Sequence, residues 1–242
     1  MTGTGDPATP RRFDPAALEG LEEPVVRYLE HALSPRAPLE RGMHLEIRGE
    51  VRVGTWLRFV SVWDGDGRSF SWRARAGLGP LRWLRVHDRF ADRRGSMDIR
   101  FGVPTRRLPA LRLLHAENED VSRSGAGRAA LEALWVPMAL LPDRDLRWRA
   151  ESDELIVASF DVPPERPELR IRIAPDGGVR SYSALRWRGR KDGYVPFGAD
   201  VHAETRFGGV TIPSRLTAGW GHGTAAWSPF FKAEVTAAEP AS

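Results

Sequence analysis

The chain has no cysteine. That absence excludes disulfides, thiolate nucleophiles and cysteine-ligated metals. Lysine is nearly missing as well: Lys191 and Lys232 stand alone among many arginines. No apolar run approaches the ~18–20 residues a helix needs to cross a bilayer, so stable membrane insertion is not expected. The opening Met1-Thr2-Gly3-Thr4-Gly5-Asp6-Pro7 lacks the charged-then-apolar layout of a secretory signal, and a cytoplasmic protein is expected. The six histidines show no i, i+4 helical or i, i+2 strand pairing, so no metal site is expected.

Catalytic signatures are missing too. No serine sits in a Gly-x-Ser-x-Gly elbow. Gly125-Ala126-Gly127 lacks the lysine and the preceding strand of a phosphate loop. Asp64-Gly65-Asp66-Gly67 has neither the twelfth-position acid nor the flanking helices of a calcium loop. Nothing calls for a cofactor.

What is present describes a container. With 242 residues, 41% of them hydrophobic, the chain can fill one large all-β unit. The formal net charge is only +4, and 32 acids are interleaved with 36 basic residues, so a nucleic-acid partner is not expected. Arginine favours bidentate contact with phosphate or carboxylate, which keeps an acidic partner in view beside plain solvated charge.

The dominant pattern is arginine alternating with a large apolar residue. It runs through Leu146-Arg147-Trp148-Arg149, Leu169-Arg170-Ile171-Arg172-Ile173 and Leu185-Arg186-Trp187-Arg188. Successive strand side chains point to opposite faces, so this predicts sheets apolar on one side and cationic on the other. Residues 1–13 read as a disordered tail and 14–242 as a single domain. Glu22-Glu23-Pro24 opens a helix with Leu21, Val25, Tyr28, Leu29 and Ala32 on one face, closed by Ser34-Pro35. A second helix is predicted over 122–135, capped by Ser122 or Ser124, after a loop from Val103 to Asp120. Strands are predicted from Met43 to Val53, from Trp56 to Trp63 and from Phe70 to Arg75. Others cover 82–91 and 95–102, turned by Asp92-Arg93-Arg94-Gly95, and seven more run from 145 to 237. The expected fold is mainly β: a curved antiparallel half-barrel with two or three short helices plugging or flanking its concave face.

Several segments resemble an uncharacterised bacterial family, a domain of unknown function common in actinobacteria. They are Glu23 to Leu33, Phe70-Ser71-Trp72-Arg73-Ala74-Arg75, Arg94-Gly95-Ser96, Leu131 to Pro142 and Gly209-Val210-Thr211-Ile212-Pro213-Ser214, in order along the chain. That family is similar in architecture to LolA-like half-barrels. The resemblance implies an apolar cavity, with two precedents: carriers of lipid or lipoprotein acyl chains, and VioE-like proteins that steer a reactive aromatic intermediate without a cofactor. The chain departs from the pattern at Gly125-Ala126-Gly127, where relatives carry Gly-Glu-Leu, and at Phe197, where they carry tryptophan.

Nine tryptophans suit an aromatic-walled pocket as well as a core. Trp72, Trp135, Trp187 and Trp220, with His222 at a glycine-rich rim, are the candidate ligand-binding residues. His87, Glu132 and Tyr182 are the candidate proton-moving groups. Glu132, at the apolar end of a helix, should have a raised pKa or an arginine partner. The expected function is binding of a hydrophobic acyl or polycyclic small molecule in the half-barrel, with a cofactor-independent cyclase or isomerase as its enzymatic form. The alternatives are a non-enzymatic lipid or acyl carrier and a module that docks an acidic partner through its arginine face. Oligomeric state is not legible.

Overall fold

A computed structural model describes residues 12–78, 81–102, 110–142 and 145–241. Thirteen strands form one antiparallel sheet. Six come first: β1 (Gly42–Val53), β2 (Thr55–Gly65), β3 (Phe70–Leu78), β4 (Leu81–Ala91), β5 (Arg94–Phe101) and β6 (Leu111–Ala116). Then come α2 and seven further strands, with α1 (Glu23–Ala32) preceding them all. Helix α2 is Glu119–Glu132, and the later strands are β7 (Leu146–Ser152), β8 (Leu155–Phe160), β9 (Glu168–Ile173) and β10 (Val179–Trp187). The last three are β11 (Tyr194–Phe207), β12 (Val210–Trp220) and β13 (Ser228–Ala241).

Each strand pairs with its neighbour in sequence except across α2; the first and last strands pair instead, Gly42 opposite Ala241 and Val51 opposite Phe231. Two meanders, β1–β6 and β7–β13, are thereby fused at β1–β13, and β6 and β7 remain the two edges. Helix α2 bridges these wings, packing on β4 and β5 of one and on β10 of the other. Helix α1 covers β7, β8 and β12. The sheet is curved and unclosed, with helices on its inner face, as the alternation predicts.

Local chemistry explains the elements. Pro24 and Glu23 in the first turn start α1, whose Val25, Tyr28, Leu29 and Ala32 are buried. Helix α2 is capped by Asn118, whose side chain accepts from the Val121 N–H, rather than by Ser122 or Ser124. Ser122 instead accepts from the Gly95 N–H and ties the helix to β5. The helix passes so close there that a Cβ on Gly95 would lie 2.5 Å from the Val121 carbonyl oxygen. The β4–β5 reversal places Asp92 and Arg93 at φ 52° and 66°, the geometry of a two-residue hairpin turn matched to strand twist.

The structure departs from expectation in four places. Phe13 is buried and Arg12 bridges Pro38, so order begins before the predicted tail ends; residues 1–11 lie outside the described residues. The predicted loop contains β6, whose Leu111-Arg112-Leu113-Leu114 breaks the alternation because a register shift falls between Ile99 and Arg100 on its partner; residues 103–109 of that loop lie outside the described residues. Helix α2 begins earlier, and its last three predicted residues form a 3-10 turn, Ala133–Trp135. In β10 the alternation is inverted: Leu185 is 62% exposed, while Arg186 turns inward against α2.

Candidate functional site: a cationic cleft on the outer face of the β1–β6 wing

Large side chains pack the inner face. Trp63, Trp135, Tyr28, Phe59 and Leu134 are buried among core side chains. Under α2 lies a charged knot. Arg128 donates to Asp88 at 2.6 Å and to Glu132 at 2.7 Å, and the Trp63 indole N–H donates to the other Glu132 oxygen at 2.7 Å. Desolvation holds Glu132 above the usual carboxylate range, opposed by the attraction of Arg128. Desolvation, with the nearby Arg128 charge, pushes Arg186 down to about 10. Arg186 donates to the Ser124 carbonyl and hydroxyl and lies over the rings of Phe197 and Trp220. Tyr182 is buried nearby, and its phenol pKa is raised by desolvation and by the Glu132 charge.

The four tryptophans are placed by packing and hydrogen bonds. Trp135 donates to the Pro213 carbonyl within the core and meets Trp63 edge to face. Trp72 is buried under Arg128, its indole N–H without an acceptor among the described residues. Trp187 is tied to Asp120 on α2 and covered by Arg123. Trp220 borders a shallow recess of about 290 Å³ beside Phe230 and Arg188. His222 hydrogen-bonds Asp200 at 3.0 Å and packs edge-on against Trp227. Among the described residues, Trp72, Trp135 and Trp187 are engaged in packing and with α2, and Trp220 faces the recess.

A cleft of about 1070 Å³ opens instead on the opposite, outer face of the β1–β6 wing. Its lining reaches from Thr236 on β13 through β1, β2, β3, β4 and β5 to His115 on β6. Seven strands spaced ~4.8 Å apart surround one cleft only if this face is itself bent into a trough. Cross-strand register arranges its walls in two rows. In one, Arg48, Val60, Arg75, Arg85, Arg100 and Arg112 are successive partners from β1 to β6. In the other, Glu46, Val62, Arg73, His87, Asp98 and His115 follow each other in the same way.

Like charges directly opposite each other cost stability. Some of this row is neutralised: Asp98 accepts from Arg100 at 2.6 Å and from Arg112 at 2.8 Å, Arg48 pairs with Glu234 and Arg73 with Asp64. The Arg100 hydrogen bond holds the Asp98 carboxyl below the usual range. Arg75 and Arg85, facing each other across β3 and β4, have no acidic partner among the described residues. Val60, 38% exposed, and Val62 lie beside them as an apolar floor.

His87 belongs to this cleft, exposed, with Nε2 3.2 Å from the Ser71 hydroxyl. Glu132 and Tyr182 are brought together on the inner face, so the sheet separates His87 from both. The Arg75–Arg85–Arg100 row is not among the residues that the sequence singles out. Reflecting β4 onto β5 about the Asp92-Arg93 turn would have set Arg85 opposite Arg100. No helix among the described residues is long and apolar enough to cross a membrane, and no cluster of metal-ligating side chains occurs among them.

No curated protein matches the chain. Two solved structures share a distant likeness. One is a DUF1329 family protein from Desulfovibrio piger, 8% identical over 83% of this chain and 86% of that one, with a TM-score of 0.44. The other is a domain from Vibrio parahaemolyticus named for outer membrane lipoprotein sorting, 7% identical over 82% and 84%, also at 0.44. Residues 11–233 match a single family description across both wings and both helices, and the chain therefore belongs to the family of unknown function DUF6544.

Proposed function

We propose that the protein binds an amphipathic anion, an acyl chain or other apolar body ending in a carboxylate or phosphate, in the outer cleft. One observation carries this reading: Arg75 and Arg85 oppose each other without an acid, over a valine floor, inside a trough of about 1070 Å³. Left empty, the opposed pair costs roughly 0.2–1 kcal/mol. An anion bridging both guanidiniums reverses that sign, since hydrogen bonds to charged groups contribute about 1.5–3 kcal/mol each. The valines supply the apolar contact that distinguishes an acyl carboxylate from a bare anion.

Binding, rather than chemistry, is the better reading. A cyclase or isomerase built on His87, Glu132 and Tyr182 would need those groups around one substrate, and His87 lies across the sheet from the other two. The concavity of the trough favours a small molecule over the face of an acidic protein. Calorimetric titration with decanoate, decanol and acetate tests the reading. Decanoate should bind at least tenfold more tightly than either control, and the Arg75→Ala/Arg85→Ala pair should erase its advantage over decanol. Equal affinity for decanol and decanoate, or no binding of decanoate and of decyl phosphate alike, would overturn it.

A further inference from the structure

Half of the exposed large apolar side chains among the described residues gather at one end of the β1–β6 wing. Leu78 closes β3 and Leu81 opens β4 as its cross-strand partner; Phe101 closes β5 and Leu111 opens β6 as its partner. They are 56%, 69%, 46% and 65% exposed, and Val53, at the same end of β1, is 59% exposed. Trp83 packs on Phe101 at 5.2 Å and extends the patch. Scattered surface leucines need no explanation, but a contiguous apolar end on neighbouring strands does.

Behind this end stand the arginines. Arg75 precedes Leu78 by three residues and Arg85 follows Leu81 by four, while Arg100 and Arg112 adjoin Phe101 and Leu111. At about 3.3 Å per strand residue, Leu78 and Leu81 project roughly 10–13 Å beyond the arginine row, and Phe101 and Leu111 roughly 3 Å. Apolar faces of interfacial proteins enter the headgroup and acyl boundary by ~5–10 Å. With Leu78 and Leu81 at that depth, the guanidiniums stand level with the lipid phosphates, and Phe101 and Leu111 lie at the headgroup boundary.

We propose that the β3–β6 end of the wing docks on the surface of an anionic phospholipid bilayer, Leu78 and Leu81 entering the interface, Phe101 and Leu111 resting at its boundary and the arginine row holding the phosphates. A second copy of the chain is the other candidate occupant. Pairing two β6 edges would bring Arg112 and its neighbouring arginines against their own counterparts, like charge on like, whereas an anionic surface complements them. The docking shares Arg75, Arg85 and Arg100 with the cleft and in that part rests on the cleft reading, whereas the leucines are not part of the cleft lining.

Co-sedimentation of the full chain with phosphatidylcholine vesicles, with and without phosphatidylglycerol, tests this. The protein should pellet at least tenfold more with the anionic vesicles, and added salt should release it. Leu81→Asp/Leu111→Asp changes two exposed side chains, so thermal unfolding should match the parent while vesicle binding falls tenfold or more. That variant should still bind decanoate, which separates failure of this proposal from failure of the cleft reading. Equal pelleting with neutral and anionic vesicles would overturn it, as would unchanged vesicle binding by the double variant. So would a dimer in light scattering that the Leu111→Asp change dissociates, since the end would then be covered by a second copy.

Discussion

The two wings carry similar arginine-rich strands and treat them in opposite ways. On β7–β9, Arg149 meets Glu168 at 2.9 Å and Glu151 at 3.3 Å, and Arg170 pairs with the same Glu151, so the outer face there is a lattice of alternating charge. On β3–β6, register sets arginine opposite arginine, and Asp98 alone must serve Arg100, Arg112 and His115. The residue type and the strand period are shared; only the cross-strand partner differs. An arginine that closes its own ion pair is scaffold, whereas one held against another arginine leaves a charge for something else to meet. The second wing is also the one with the trough and the exposed leucine end.

The comparison requires that the wings be one cooperative body, and Arg128 is where that is tested hardest. It joins α2 to Asp88 on β4 and to Glu132, which the Trp63 indole of β2 also reaches. Arg128→Met should strand two partly buried carboxylates and destabilise the protein by about 3–5 kcal/mol, read from the denaturant midpoint. If α2 truly clamps both wings, all probes should report one transition. Separate transitions in near-ultraviolet and far-ultraviolet signals would show the wings unfolding apart.

A smaller blow falls on the other side of the helix. A Cβ on Gly127 would meet the Arg186 side chain at 3.0 Å, and Arg186 is pinned by Ser124. Gly127→Leu gains roughly 1 kcal/mol in helix propensity but overpacks this contact by about 1–3 kcal/mol, so the net effect is a loss. Gly127→Ala, needing less room, should lie near neutrality. A stabilised Gly127→Leu protein would mean that β10 does not grip the helix.

How much of this was legible in the sequence follows from what a single strand can and cannot encode. Period two located most strands, and Glu23-Pro24 located α1, because those signals are local. The inward turn of Arg186 was not legible: in Leu185-Arg186-Trp187 parity is clear, but which parity faces α2 depends on Ala184 and Phe197 pairing on the inner side. Strand β6 escaped because its consecutive leucines carry no alternation. Tryptophan counts could not separate a packed core from a walled cavity, since both demand the same residues. The cleft depends on register among the six strands β1 to β6, and only its β4–β5 part was recoverable, from the Asp92-Arg93 turn.

The paired wing should also respond to pH where His31 on α1 meets Glu204 on β11 at 2.9 Å. The Glu204 hydrogen bond raises the His31 pKa above its ordinary value of 6.5. A raised folded-state pKa means that this stabilisation is complete below the unfolded value and fades as pH rises through the folded one. His31→Gln should therefore cost more at about pH 5.5 than at about pH 9, with roughly 1–3 kcal/mol as the scale for losing a donor to a charged acceptor. Thermal melts across that range check it; a cost that grows with pH contradicts the assignment.

The smallest effect bears most directly on the difference between the wings, because it is a difference of sign. Removing Arg149 takes away a cation that two glutamates hold, so Arg149→Ala should lower the melting temperature slightly. Removing Arg75 relieves a guanidinium set against Arg85, so Arg75→Ala should raise stability, by about 0.2–1 kcal/mol. Added salt should shrink both changes, since each is an exposed charge effect. Saturating decanoate should then invert the second result alone, because a bound anion turns the repulsion between Arg75 and Arg85 into a shared attraction. If both substitutions destabilise equally in the absence of any anion, the opposed pair carries no net repulsion, and the arginines of the trough are no more available than those of the lattice.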